Sequence, residues 1–260
     1  MKDIDTASIL DQLCTLSRSI AAQMNVTPEI SPDDMLFDFL VRAVFPTDHP
    51  SAVNAYFTGG QDCAQRFAAL CREHLHSAPK TVLEFASGYG RVARHAKHVL
   101  PETSWTCSDV HRRAVEFNGD RLGLNSFISP SRPEAWTAER RFDVVFALSF
   151  FSHMPDATFA PWLERLFTTV ELGGILVFTT HGAITLRNMK AAGLDANFNE
   201  NGFYWNPQSD QRDIASTDYG TSAVTLSYVQ RALQSLPQAE LIRFQQAFWW
   251  SHQDLYVVRK

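Results

Sequence analysis

Val82-Leu83-Glu84-Phe85-Ala86-Ser87-Gly88-Tyr89-Gly90-Arg91 carries a β-rich apolar run into a glycine-spaced turn. Residues 81–85 read as a short buried strand, and a helix is expected after the glycines, to about Leu100. Gly88 and Gly90 fall where strand gives way to helix. Glycine there lets the backbone come close to a ligand, and the first helical turn offers N–H groups that have no intrahelical partner. Asp109 follows Gly88 by 21 residues, at the end of the next β-rich run, 105–108. A carboxylate on that strand tip can accept from both hydroxyls of a ribose, and in an open parallel sheet such strand ends converge on the ligand-binding crevice.

Outward from this segment the pattern divides in two. Residues 1 to about 76 read as helical. Ile9, Leu10, Leu13, Leu16 and Ile20 repeat with a helical period. Ser31-Pro32-Asp33-Asp34 predicts a helix start with Ser31 as N-cap, followed by a stripe of Met35, Leu36, Phe39, Leu40 and Ala43 that must stop before Pro46. A third helix is expected after Gly59-Gly60, using Ala64, Phe67, Ala68, Cys71 and Leu75.

From Pro79 onward, strands and helices alternate. A weak strand is expected at 124–128 and a strong one at 142–148. A helix at 158–171 should end at Gly173-Gly174, and a fifth strand should fill 175–180. Residues 191–220 read as irregular and polar, either a substrate loop or a solvated insertion. A helix through Leu226, Val229, Leu233 and Leu236 precedes Pro237. The segments 241–249 and 254–258 then suit an antiparallel hairpin at the sheet edge. The expected fold is α/β and Rossmann-like. It has a mainly parallel seven-stranded sheet with helices on both faces, an antiparallel C-terminal strand and a helical N-terminal extension. The extension spans 1–78, and 79–260 is the binding domain, with an insertion at about 191–220.

Composition narrows the function. Of 260 residues, 45% are hydrophobic and 20% charged, enough to bury a core. The net charge of −5 offers no basic footprint, so no nucleic-acid partner is expected. No apolar run is long enough to span a bilayer, and MKDIDTASIL lacks the apolar region of a signal peptide. Cys14, Cys63, Cys71 and Cys107 are scattered without a CxxC pair, which fits a reducing, cytoplasmic setting. No metal is expected, because His74-x-His76 and His95-x-x-His98 fall in helical register and read as solvated helix faces.

The glycine turn alone is ambiguous, since Gly88-x-Gly90-x-x-Ala93 also fits the dinucleotide fingerprint. Glu84 weighs against a pyrophosphate, which it would repel, and suits a positively charged sulfonium and amino group. At this point a resemblance becomes specific. Leu83-Glu84-Phe85-Ala86-Ser87-Gly88-Tyr89-Gly90 resembles the first motif of the class I S-adenosylmethionine-dependent methyltransferases, and Arg91 resembles the arginine of its GCGxGR branch. Cys107-Ser108-Asp109 resembles the ribose-binding motif. Residues 142–149 and the following Phe150-Phe151-Ser152-His153-Met154-Pro155 resemble the fourth strand and its continuation. Leu172-Gly173-Gly174-Ile175-Leu176-Val177 resembles the turn into the fifth strand, and Gln253-Asp254-Leu255-Tyr256-Val257-Val258 the last, antiparallel one.

The resemblance implies S-adenosylmethionine as cofactor, held by Glu84, Ala86, Ser87, Gly88, Gly90, Arg91, Asp109 and Val110. It places Ser126, Phe127, Leu148, Ser149 and His153 around it. One departure stands out: Ala86 replaces the first glycine of the motif, which leaves open a weakened or non-catalytic homologue.

Methyl transfer from a sulfonium needs positioning, and an oxygen or nitrogen acceptor also needs its proton removed. His153, after the fourth strand, and His181, after the fifth, are the candidates, the first with a plainer reading as a loop-bonding residue and the second as a helix-entry cap. The expected reaction is methyl transfer to a small molecule or glycan. A nicotinamide-dependent oxidoreductase is the rival, but it would need a constellation such as Tyr-x-x-x-Lys, and none is expected here. The oligomeric state is not legible. Phe198, Phe203, Tyr204 and Trp205 could stack on an acceptor or anchor their loop.

Overall fold

The computed structural model describes residues 5–137, 140–208 and 218–260. Helices come first: α1 (Thr6–Gln12), α2 (Cys14–Met24), α3 (Met35–Phe39) running into a π-helical turn (Leu40–Val44), and α4 (His49–His74). Then follow β1 (Thr81–Phe85), a 3-10 turn (Ala93–His95) leading into α5 (Ala96–Val99), β2 (Ser104–Asp109), α6 (Arg112–Asp120) and β3 (Asn125–Ile128). The rest comprises β4 (Phe142–Ala147), α7 (Asp156–Thr168), β5 (Val170–His181), α8 (Ala183–Ala191), β6 (Phe203–Asn206), β7 (Thr221–Val224), α9 (Leu226–Gln234), β8 (Glu240–Trp249) and β9 (Gln253–Arg259).

The sheet runs β3-β2-β1-β4-β5 and then forks. The body of β5 pairs antiparallel with β9, from Ile175↔Arg259 to His181↔Gln253, and β9 pairs with β8. The tip of β5 joins β7 at His181↔Ala223, and β7 carries β6. The main branch, β3-β2-β1-β4-β5-β9-β8, is the seven-stranded, Rossmann-like sheet closed by an antiparallel C-terminal strand. The expected hairpin is present, but only β8 lies at the edge. β9 is interior, in keeping with the continuous burial of Gln253–Val258.

The chain forms two compact units, residues 1–78 with 87–128 and residues 79–86 with 129–260. In the first, the helical period of 9–20 is interrupted at Leu13, whose ψ of 10° ends α1. The next helix starts three residues later than Ser31. Asp34 is its N-cap and accepts from Leu36 N (2.9 Å) and Phe37 N (3.3 Å), while Ser31 Oγ accepts from Asp33 N in the preceding turn. Gly59-Gly60 does not open a helix but lies inside α4. A Cβ on Gly60 would fall 2.3 Å from the Arg91 carbonyl oxygen, so these glycines admit a neighbouring chain. Phe37, Val41, Ala52, Val53, Tyr56 and Phe57 form the core here. The long helix expected after the glycine turn is absent. Gly88 and Gly90 take φ +52° and +67°, which an α-helix does not allow, and only the short 93–99 segment is helical.

In the second unit, β4 pairs in parallel with β1 and β5. α7 and α9 pack Phe159, Trp162, Leu163, Leu166, Val229 and Leu233 into an aromatic-rich core with Phe85, Phe151 and Phe178. β5 begins at Val170 rather than 175. Its register with β4 jumps from Phe142↔Val170 to Val144↔Ile175, a bulge that Gly173 permits with φ +81°. Within 191–220, Phe203–Asn206 is a strand paired with Thr221–Val224. The part of that segment at 209–217 lies outside the described residues.

Candidate cofactor and acceptor sites

In the first unit, the glycine turn is bonded to the end of β2. Ser87 N donates to Ser108 O (3.0 Å), and Gly88 N donates to Asp109 Oδ2 (2.8 Å). Asn118 on α6, fully buried, clamps the turn by donating to Gly88 O (2.9 Å) and Ser87 Oγ (3.3 Å). The outer face is open, since a Cβ on Gly88 would meet nothing within 4 Å. A Cβ on Gly90 would strike Leu122 and Asn118. Asp109 is 5% exposed. Its Oδ1 accepts from His111 N (3.0 Å) and lies 2.9 Å from His111 Nδ1. A carboxylate has about four acceptor positions, so Asp109 keeps capacity on Oδ2 beyond its bond to Gly88.

Sequence reading gives no sign of what supports this turn from below. Arg94, 5% exposed, donates to Gly90 O (3.2 Å), Tyr89 O (3.2 Å), Thr27 O (3.2 Å) and Glu29 O (2.9 Å), and to the Tyr56 hydroxyl (3.3 Å). Tyr56 in turn donates to Asp34 Oδ2 (2.6 Å). Burial pushes the Asp34 pKa up, opposed by its bond from Tyr56, backbone N–H groups and the Arg94 charge. Arg91 turns towards α4, donating to Tyr56 O (3.1 Å) and Ala55 O (3.4 Å). Ser126 Oγ donates to Val115 O (2.9 Å), and Phe127 on β3 is 37% exposed. Val110 is half-buried beside Asp109.

In the second unit, Glu84 is 3% exposed and Ala86 takes φ +54°, a left-handed conformation that its Cβ disfavours. Leu148 is half-buried, and Ser149 also has positive φ, +58°. Ser149 N donates to Thr179 Oγ1 (2.8 Å), Thr179 Oγ1 donates to Gln253 Oε1 (2.7 Å), and Gln253 Nε2 donates to Ser149 Oγ (2.5 Å). This closed loop of bonds fixes the ends of β4, β5 and β9 together.

The turn after β4 brings His153 next to the start of β7. His153 Nδ1 lies 2.8 Å from Gly220 O, Gly220 N donates to His153 O (3.1 Å), and the ring stacks on Tyr219 at 4.6 Å. His181 lies 6.1 Å from His153 between ring centroids, so the structure brings both histidine candidates together. Burial, followed by the charges of His153 and His252, pushes the His181 pKa down to about 3. A Cβ on Gly182 would meet Asp254 Oδ2 at 2.0 Å, so that carboxylate packs against the residue after His181. Burial lifts its pKa to about 6.

The loop aromatics act as anchors. Phe203 joins the main core, and Tyr204 packs with Leu186, Ala196 and Ala223. Of the four paired histidines expected on solvated faces, His95 is 1% exposed, a correction that its inward position in the 93–95 turn explains. Among the described residues, no three His, Cys, Asp or Glu side chains are placed to hold a metal. None of the described helices is long and apolar enough to cross a membrane.

Comparison with known proteins bears directly on this arrangement. A family model described as "Methyltransferase domain" matches residues 61–219. The chain belongs to that methyltransferase family. It is a class I, S-adenosylmethionine-dependent methyltransferase by fold and family. An S-adenosylmethionine-dependent methyltransferase from Clostridium acetobutylicum superposes with a TM-score of 0.55 at 14% identity, covering 86% of this chain and 95% of that one. DhpI in complex with SAM and HEP gives 0.52 at 20% identity, covering 89% and 100%. Magnesium protoporphyrin IX methyltransferase from Synechocystis, with bound SAH, gives 0.56 at 9% identity, covering 98% and 100%. No curated protein sequence matches. The methyltransferase does contain a Tyr-x-x-x-Lys spacing, Tyr256 to Lys260, but on a β-strand. Tyr256 is fully buried, and Lys260 Nζ donates to the carbonyls of Phe167, Thr168 and Val170. The pair therefore serves no hydride transfer.

Proposed function

We propose that this methyltransferase moves a methyl group to an oxygen or nitrogen of a small-molecule acceptor, a glycan among the possibilities. The observation that carries the cofactor half is the open bend at Gly88 beside the Asp109 carboxylate. S-adenosylmethionine supplies the activated methyl group. Asp109 would accept a ribose hydroxyl on Oδ2, and Val110, Phe127, Leu148 and Ser149 would hold the nucleoside. Glu84 would hold the cationic methionine end, and Ala86, Ser87 and Gly90 would line the bend. Arg91 and Ser126 act as supports, given the bonds they already make. Relatives by fold carry SAM or SAH, and their printed acceptors range from a glycopeptide to magnesium protoporphyrin IX, which favours small-molecule chemistry without fixing it.

His153 and His181 divide the acceptor's chemistry. A carbonyl can only accept, so His153 Nδ1 carries hydrogen towards Gly220 O and Nε2 holds the lone pair. That nitrogen would take the acceptor's proton as its oxygen or nitrogen bonds to the methyl carbon and the C–S bond breaks, leaving S-adenosylhomocysteine. His181, with its pKa held near 3, is too weak a base for this and acts as a substrate anchor.

Calorimetry with S-adenosylhomocysteine and with NADH tests the reading. Micromolar binding of the first alone is expected. Asp109→Ala, and more mildly Asp109→Asn, should weaken it by about tenfold or more, the worth of a charge-assisted hydrogen bond. Binding of NADH without S-adenosylhomocysteine would overturn the proposal.

A further inference from the structure

At the tips of β4, β5 and β9, three residues of the second unit hold one another in a ring, and each hydrogen in that ring has a direction. Ser149 N donates to Thr179 Oγ1 (2.8 Å), and Thr179 Oγ1 donates to Gln253 Oε1 (2.7 Å). Gln253 Nε2 then donates to Ser149 Oγ (2.5 Å). Burial fixes the sense of the ring. Thr179 is fully buried, and among the described residues only Gln253 Oε1 accepts its hydroxyl hydrogen. Turning the amide over would set Nε2 against Thr179 Oγ1 and strand that hydrogen away from water, which costs more than a hydrogen bond returns. The amide nitrogen therefore stays towards Ser149.

The consequence falls on Ser149. A hydroxyl has one hydrogen and two lone pairs. Gln253 occupies a lone pair, so the hydrogen points elsewhere, and no described residue accepts it. Ser149 is half-buried, unlike Thr179 and Gln253, which are 0% and 4% exposed. Its φ of +58° is a left-handed conformation that a serine holds at a cost, here secured by the bond from its N–H to Thr179. A strained residue, pinned from behind, thus keeps one donor to offer at the tip of β4.

We propose that Gln253 is a positioning residue for cofactor binding: through this ring it presents the Ser149 hydroxyl as a donor to a lone pair of the adenosine part of S-adenosylmethionine, a ring nitrogen or a ribose oxygen. The inference rests on the proposed function, in which Ser149 holds the nucleoside. Gln253 acts only through Ser149, and its amide matters because it both gives and accepts. A carboxylate of the same shape only accepts. Gln253→Glu therefore draws the Ser149 hydrogen inward and takes the donor away from the nucleoside.

The test is calorimetric titration of the full-length chain with S-adenosylhomocysteine and with methylthioadenosine, which lacks the amino-acid end. Gln253→Glu and Ser149→Ala should each weaken both ligands by about threefold to tenfold, the worth of one hydrogen bond. The double variant should lose no more than either alone. The effect of a new charge would persist in the Ser149→Ala background, whereas a donor cannot be lost twice. Should Gln253→Glu fail to fold by circular dichroism, Gln253→Met takes its place. It releases the Ser149 hydroxyl without adding charge, and should weaken both ligands less than Ser149→Ala does and add nothing to that loss. Unchanged affinities, additive losses, or a loss confined to S-adenosylhomocysteine would overturn the proposal and leave the methyltransferase reading standing. An unmodified chain that binds neither ligand would overturn both.

Discussion

Ala86 takes φ +54°, where an L side chain crowds the following carbonyl. The family's usual glycine would take this conformation without cost. Ala86→Gly should therefore stabilise the protein by about 1 kcal/mol, or roughly 2–4 °C in Tm, and leave S-adenosylhomocysteine affinity equal or improved. A fall in Tm on calorimetric scanning would show that the Ala86 methyl contributes more through packing than it costs in strain. The missing glycine was visible in the sequence because a motif defined the position. Asn118 was not, because an asparagine within a helix has no pattern of its own, and its role depends on how α6 meets the turn. Gln253 was missed because its partners, Thr179 and Ser149, are distant in sequence, and His111 because no pattern marks its bond to the Asp109 carboxylate two residues before it.

At the scale of elements, the strands were legible and the helical extension less so. Short continuous apolar runs placed β1, β2 and β4 to within a residue or two, since burial on both faces of a parallel sheet demands them. Helix boundaries in the extension depended on tertiary contacts. Gly59-Gly60 looked like a break but sits inside α4, because Arg91 packs where side chains would otherwise be. The strand at Phe203–Asn206 was hidden in a polar segment, its pairing fixed only by distant β7. The consequence for α3 and α4 is testable. Tyr56→Phe removes the hydroxyl between Asp34 and Arg94, two groups 4% and 5% exposed. A loss of about 1–3 kcal/mol is expected. Arg94 also holds the Tyr89 and Gly90 carbonyls, so S-adenosylhomocysteine should bind several-fold more weakly to the folded variant. Unaltered cofactor affinity in a destabilised Tyr56→Phe protein would confine the network to stability.

Across the molecule, buried histidines set the response to acid. Burial, then the charge of Arg94, lowers the His95 pKa to about 4, and burial lowers that of His181 to about 3. Both fold as neutral rings, whereas the unfolded chain takes up protons near pH 6.5. The unfolded state then binds more protons, so stability is complete above about pH 6.5 and falls as pH drops towards 4, by up to about 1.4 kcal/mol per pH unit for each ring. Asp254 acts oppositely, because its raised pKa, about 6, favours the protonated native form below that pH. Urea midpoints should fall between pH 7 and 5, and His95→Phe should flatten the slope. A midpoint independent of pH over that range would contradict the burial of both rings.

The fork at the tip of β5 bears on how such an enzyme could change its diet. The segment that follows α8 returns to the sheet at Gly220, whose carbonyl orients the His153 imidazole. Neither the paired strand Phe203–Asn206 nor the last two residues can slide, the latter because sliding them would rotate the proton-accepting nitrogen away from its task. A one-residue slip at the Tyr219-Gly220 junction should thus silence the enzyme whatever it is fed.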